Sequence, residues 1–244
     1  MIWGLTMNLS RDFTLKIHFI LDQLLPPLLR DSRFLMRWPL KIMFSAKAEE
    51  IMDFKETLPL MSPEEYVAVY ETTAPYHMSR KTDLNSRCTQ SILQDIAGSS
   101  VLEVGCGRGF LTQKIKEAGY DVTATDIVLS EQLNDLDSAI KFLNADISAL
   151  PFADNTFDTV ICTHVLEHVV DFKKAVSELR RVVKKRLIIV VPRQRPYRYT
   201  FDLHLRFFPY LHSFLLEMIP LRKDSFYCAD IGGDIYYREE MGHD

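Results

Sequence analysis

Past residue 81 the apolar positions follow two spacings in turn: short runs rich in β-branched residues, and stripes recurring about every four residues. That predicts strands and helices in alternation. Leu84, Cys88, Ile92 and Ile96 recur every four residues and predict a helix from Thr82 to Ala97, ended by Gly98. Val101, Leu102 and Val104 predict a strand, and Phe110, Leu111, Ile115 and Ala118 a helix stopped at Gly119. Three more strands follow: DVTATD ending at Asp126, AIKFLNAD ending at Asp146, and FDTVICTH from Phe157 to His164. Asp171 caps a helix in which Phe172, Ala175, Val176, Leu179, Val182 and Val183 keep helical spacing, and a fifth strand spans Lys185 to Val191. A helix is expected near residues 203 to 218, with Leu211, Phe214, Leu215 and Met218 as its stripe. DSFYCADIGGDIYYREE then reads as a β-hairpin turning at Gly232 and Gly233. The expected class is α/β: a doubly wound, mostly parallel, Rossmann-like sheet with its ligand outside the carboxyl ends of the strands.

Upstream the pattern changes. Phe13, Leu15, Ile17, Phe19, Ile20, Leu21, Leu24, Leu25, Leu28 and Leu29 crowd a span broken by Pro26 and Pro27, which predicts two short apolar helices around a kink. In RDSRFLMRWPLKIMF, Arg30, Arg33, Arg37 and Lys41 alternate with Phe34, Leu35, Met36, Trp38, Ile42 and Phe44, with a break expected between Trp38 and Pro39. Residues 45 to 80 read as a more polar connector containing one helix at SPEEYVAVYE, where Ser62 is the cap and Pro63 the first helical residue. The expected division is an N-terminal helical extension over residues 1–80 and the α/β domain over 81–244.

Composition narrows this picture. A chain of 244 residues, 47% hydrophobic and 25% charged, can bury one substantial core and carry an appendage. A net charge of −4 gives no overall attraction for nucleic acid, so bulk nucleic-acid binding is not expected. Cys88, Cys106, Cys162 and Cys228 show no paired spacing, which suits a reducing, cytoplasmic setting. No secretion signal and no uncharged 18-residue apolar run is apparent. Residues 11 to 47 nonetheless carry a local excess of four positive charges. Basic side chains among Trp, Phe and Leu suit peripheral contact of residues 13–44 with the inner membrane face. A lid over the domain, or a dimer contact, accounts for the same pattern.

The chemistry centres on VLEVGCGRG. Glycines at 105, 107 and 109 let the chain bend and let a ligand lie against bare peptide groups, and the following helix start favours an anionic group. The third glycine falls one position early for the dinucleotide fingerprint, and Phe110 stands in its place, which disfavours NAD and FAD.

With LPFADNTFD followed by VLEHV, the chain over residues 82 to 240 resembles the class I S-adenosylmethionine-dependent methyltransferases. The resemblance implies a seven-stranded sheet with an antiparallel last strand, and S-adenosyl-L-methionine as cofactor. It implies that Glu103, Gly105, Gly107 and Gly109 line the methionine end of the cofactor. Asp126 would accept from the ribose hydroxyls, Asp146 would meet the adenine amino group, and Ile147 would form an apolar wall beside it.

THVLEH also contains the HxxEH string of one zinc peptidase class, but His164 ends a predicted strand and cannot share a helix with His168. Some RNA-ribose methyltransferases of this fold hold a divalent ion here, yet their fuller ligand cluster is absent, and no metal is expected. His164 is the first candidate for a general base and His168 the second, with pocket shaping as the alternative role. Arg193, Arg195 and Arg198 could hold a phosphate or carboxylate, or form a solvated loop, and His77, Arg80 and His204 are candidates for the entrance. The expected activity is O-methylation of a small molecule or a lipid-linked, cell-surface sugar intermediate. The alternatives are a soluble small-metabolite methyltransferase acting at O, N or C, and a non-catalytic scaffold.

Overall fold

The computed structural model describes residues 25–73, 82–199 and 203–242, and the chain divides into two compact units. Residues 1–81 with 194–205 form one, and residues 82–193 with 206–244 form the other.

In the smaller unit, Pro26 precedes a single helical turn, α1 (Pro27–Arg30), and α2 (Arg33–Phe44) follows. The break expected at Pro39 does not occur: α2 runs through it. Proline forfeits one backbone bond there, but Met36, Leu40 and Phe44 on one helix face are buried with Ile51, Phe54, Tyr199 and Leu203, and this packing holds the turn. Nor are residues 45 to 60 a plain polar connector. A 3₁₀ turn (Ser45–Lys47) leads into α3 (Ala48–Thr57), whose Ala48, Ile51, Met52 and Phe54 face the same core. Next, α4 (Pro63–Thr73) starts as the sequence predicts, with a reciprocal cap: Glu65 N–H donates to Ser62 Oγ at 3.2 Å, and Ser62 N–H to Glu65 Oε2 at 2.7 Å. The apolar helices expected upstream of residue 25, together with His77 and Arg80, lie outside the described residues.

The larger unit is a seven-stranded sheet in the order β3-β2-β1-β4-β5-β7-β6. Its strands are β1 (Ser100–Val104), β2 (Asp121–Asp126), β3 (Lys141–Asn144), β4 (Phe157–Thr163), β5 (Val183–Pro192), β6 (Phe226–Ile231) and β7 (Asp234–Glu240). Strands β1 to β5 pair in parallel, whereas β7 is antiparallel to both β5 and β6. Central strands are apolar on both sides because helices cover both faces. On one face Leu102, Val160, Cys162, Leu187 and Ile189 meet α7 (Phe172–Val182) and α8 (Leu211–Met218). On the other, Val101, Ile161, Ile188 and Val190 meet α5 (Ser86–Asp95) and α6 (Phe110–Glu117).

Three expected boundaries move. Helix α5 starts at Ser86 rather than Thr82, because Asn85 Oδ1 accepts from Cys88 N–H at 2.8 Å and caps it there. Strand β3 ends at Asn144, leaving Asp146 in the turn beyond. The helix expected from about residue 203 forms only from Leu211, since Pro209 disfavours helical backbone at Phe208 and Tyr210 takes the N-cap.

Candidate cofactor-binding site

The ends of β1, β2 and β4 converge on the glycine loop. Gly105 and Cys106 N–H both donate to Thr125 O, at 2.8 and 3.0 Å, so the loop is stitched to the end of β2. Gly105 has φ of 78°, and a Cβ there would stand 2.0 Å from Val165 Cγ2: only glycine fits. Gly107 also has positive φ, 53°, but a Cβ on it would meet nothing within 4 Å. The bare backbone at Gly107 therefore borders open space, where a ligand can approach the peptide group. Gly109 is the N-cap of α6.

Asp126 closes β2 with its carboxylate turned to this loop. Oδ2 accepts from Gly107 N–H at 2.7 Å and Oδ1 from Val128 N–H at 3.2 Å. Burial raises its pKa, while these backbone donors oppose the rise. Each carboxylate oxygen has two acceptor positions, so a vicinal diol can be bound without breaking the loop contacts. Asp146 is exposed and its Oδ1 accepts from Ser148 N–H at 2.8 Å and Ser148 Oγ at 2.6 Å, and Ile147 beside it is buried. Ala145 N–H donates to Asp126 O at 2.9 Å, and Asn144 Nδ2 to Ile127 O at 2.6 Å, which ties the loops after β2 and β3 together. Ile127 and Leu129 present exposed apolar side chains on this rim, positions the sequence did not single out.

Glu103 lies one residue from the apolar stripe of β1 and is buried. Desolvation pushes its carboxyl up to about 8, with the Asp126 charge adding to the rise and the hydrogen bond from Thr112 Oγ1 opposing it. Thr112 sits on α6, so the Glu103–Thr112 bond anchors the helix whose start borders the loop.

His164 follows β4 with φ of 54°, left-handed backbone that ends the strand one residue earlier than the pattern predicts. Its N–H donates to Val190 O at 2.8 Å. Nδ1 lies 3.5 Å from Glu167 Oε1, and Nε2 lies 3.6 Å from Asp234 Oδ2. Desolvation alone would lower the imidazole pKa, but Asp234 and Glu167 outweigh it and push the value up to about 10. Both carboxylates favour the protonated ring, the form that has no lone pair to accept a proton. Asp234, the first residue of β7, was not marked as a site residue, because only the pairing of the closing hairpin brings it to β4. Asn85 Nδ2 donates to the same oxygen, Asp234 Oδ2, at 2.7 Å. His168 is half-buried in the turn after β4, where its N–H donates to Val165 O at 2.9 Å.

The expected substrate-side residues fall in both units. Arg193 pairs with Asp230 at 3.0 Å within the larger unit. In the smaller unit Arg195 is exposed, and Arg198 Nε donates to Glu56 at 3.2 Å while its backbone N–H donates to Asp31 at 3.0 Å. His204 is buried there, with Nδ1 2.7 Å from Gln194 Oε1.

A parallel sheet finished by an antiparallel hairpin, with an acidic residue ending its second strand, is the architecture of the class I S-adenosylmethionine-dependent methyltransferases. Residues 102–191 match the family described as "Methyltransferase domain". A demethylmenaquinone methyltransferase of Renibacterium salmoninarum is 33% identical over 135 residues, covering 50% of this chain and 55% of that one. A malonyl-[acyl-carrier protein] O-methyltransferase of Buchnera aphidicola is 36% identical over 108 residues, covering 38% and 44%. The chain thus spans about half the length of the curated relatives it matches. In fold it is similar to 1,6-didemethyltoxoflavin-N1-methyltransferase of Burkholderia thailandensis, solved with bound S-adenosylhomocysteine. The TM-score is 0.54 at 18% identity, with 74% of this chain and 90% of that chain covered.

Proposed function

We propose that this protein transfers a methyl group from S-adenosylmethionine to a small or lipid-linked acceptor, at oxygen. The observation that carries the reading is the open backbone at Gly107 held against the Asp126 carboxylate. In this reading Asp126 binds the ribose hydroxyls, Glu103 and the glycine loop bind the methionine end, and Asp146 with Ile147 borders the adenine. Bound cofactor would supply an already activated methyl, so the protein's task is to hold the acceptor in line with it.

His164 acts in this scheme as a fixed cation. Held between Glu167 and Asp234, it neutralises two carboxylates and positions the turn after β4 beside Gly105. The acceptor proton then leaves to another group, for which His168 is the second candidate. A quinone-type or carrier-bound acid acceptor is in keeping with the relatives' names. The acceptor class is tested by incubating the full chain with isotope-labelled S-adenosylmethionine and lipid and metabolite extracts, followed by mass spectrometry. Label in a lipid or carrier-linked O-methyl product supports the reading. Label only in water-soluble amines would replace it with the small-metabolite alternative.

A further inference from the structure

Helix α2 has two apolar faces, and only one of them is packed. Met36, Leu40 and Phe44 point into the core of the smaller unit. Phe34, Trp38 and Ile42 form a second row and are 77%, 68% and 75% exposed, with Leu35 beside them. Just before the helix Leu28 is 86% exposed. A helix turns by about 100° per residue, so Arg33, Arg37 and Lys41 form a third row lying between the packed face and the exposed one.

From this arrangement we infer that α2 docks the protein onto the surface of an anionic lipid bilayer, its axis in the membrane plane. The exposed row enters the acyl boundary, and the basic row lies at the level of the headgroups, where long cationic side chains keep their heads in water. Trp38 suits that boundary because its ring is apolar and its N–H is a donor. Twelve residues make a helix about 18 Å long, too short to cross a bilayer. Among the described residues no helix is long and apolar enough to do so.

Charge chooses among the occupants. The segment Arg33–Phe44 carries three basic residues and no acidic one of its own, the nearby carboxylates being those of Glu49 and Asp53 on α3, whereas a second copy of the same face would bring basic rows together. Arg33 pairs with Glu49 and Asp53, and Arg37 with Glu49, on α3. These pairs hold both guanidiniums beside the exposed row and mute their charge. Apolar insertion therefore dominates, and added salt weakens binding only in part.

The inference does not depend on the methyltransferase reading, and its test uses the full chain without cofactor. The chain has two tryptophans, Trp3 and Trp38, so a Trp3→Phe background makes Trp38 the reporter. On adding vesicles of equal parts phosphatidylglycerol and phosphatidylcholine, Trp38 emission should shift to the blue and the protein should co-sediment. Phe34→Ser/Ile42→Ser, substitutions at exposed positions, should weaken co-sedimentation at least tenfold with the melting temperature retained. Pure phosphatidylcholine vesicles should bind less well. Absence of a shift, equal binding by the double variant, or a dimer that the double variant dissociates in the absence of vesicle binding would each overturn the inference.

Discussion

His164 and Glu103 give the domain two separable pH signatures. The His164 pKa is raised from 6.5 to about 10, so folding favours its protonated form. The stability it contributes is fully present below about pH 6.5 and is lost as pH rises through about 10. Glu103 is raised from 4.5 to about 8, chiefly by desolvation, so its contribution is fully present below about pH 4.5 and lost as pH rises through about 8. In urea titrations across pH, Glu103→Gln should flatten the decline between 4.5 and 8, and His164→Gln the decline between 6.5 and 10. His164→Gln should also cost about 3 kcal/mol at neutral pH, because it removes the ring that lies against the buried carboxylates of Glu167 and Asp234; unchanged stability would deny the imidazolium. The two loop glycines should differ in kind. Gly105→Ala combines left-handed backbone with a clash against Val165 and should destabilise by more than about 2 kcal/mol. Gly107→Ala meets open space, so it should cost about 1–2 kcal/mol of stability but lower cofactor affinity as well.

At the level of elements, the central strands β1, β4 and β5 were legible because they are largely buried on two sides and so read as apolar, β-branched-rich runs, whereas β3 at the sheet edge is mostly exposed. The ends were not, because they depend on caps and distant partners. Asn85 sets the start of α5 with a side chain that also reaches Asp234, 149 positions away, and no local pattern carries that information. Pro39 read as a break on local grounds, yet α2 continues because tertiary packing of Leu40 and Phe44 overrides the lost bond. The candidate cofactor residues stand out by motif spacing, whereas the carboxylate partners of His164 needed the observed geometry: Asp234 reaches it only through sheet pairing. Among the contacts that join helices to the closing hairpin, Arg180 on α7 donates to Glu239 on β7 from Nε at 2.8 Å and Nη2 at 3.1 Å, with Glu239 fully buried. Arg180→Met should destabilise by about 3–5 kcal/mol, read by denaturant midpoint, and Arg180→Met/Glu239→Gln should recover part of the loss.

For the whole molecule, the proposed reading has the glycine loop and Asp126 hold the methyl donor, while the arginines, divided between the two units, leave the acceptor to be identified by product. A ligand that binds only the folded protein raises its stability in proportion to the logarithm of concentration over Kd. S-Adenosylhomocysteine should therefore raise the melting temperature, and NAD should not. The most direct test is calorimetric titration of the full chain with S-adenosylhomocysteine, beside an Asp126→Ala variant with wild-type circular dichroism. The wild type should show saturable one-to-one binding, and the variant an affinity at least tenfold weaker, the loss of charge-assisted hydrogen bonds worth about 1.5–3 kcal/mol. Folded wild-type protein that takes up no S-adenosylhomocysteine, or an Asp126→Ala variant that binds it as tightly, would contradict the proposed reading.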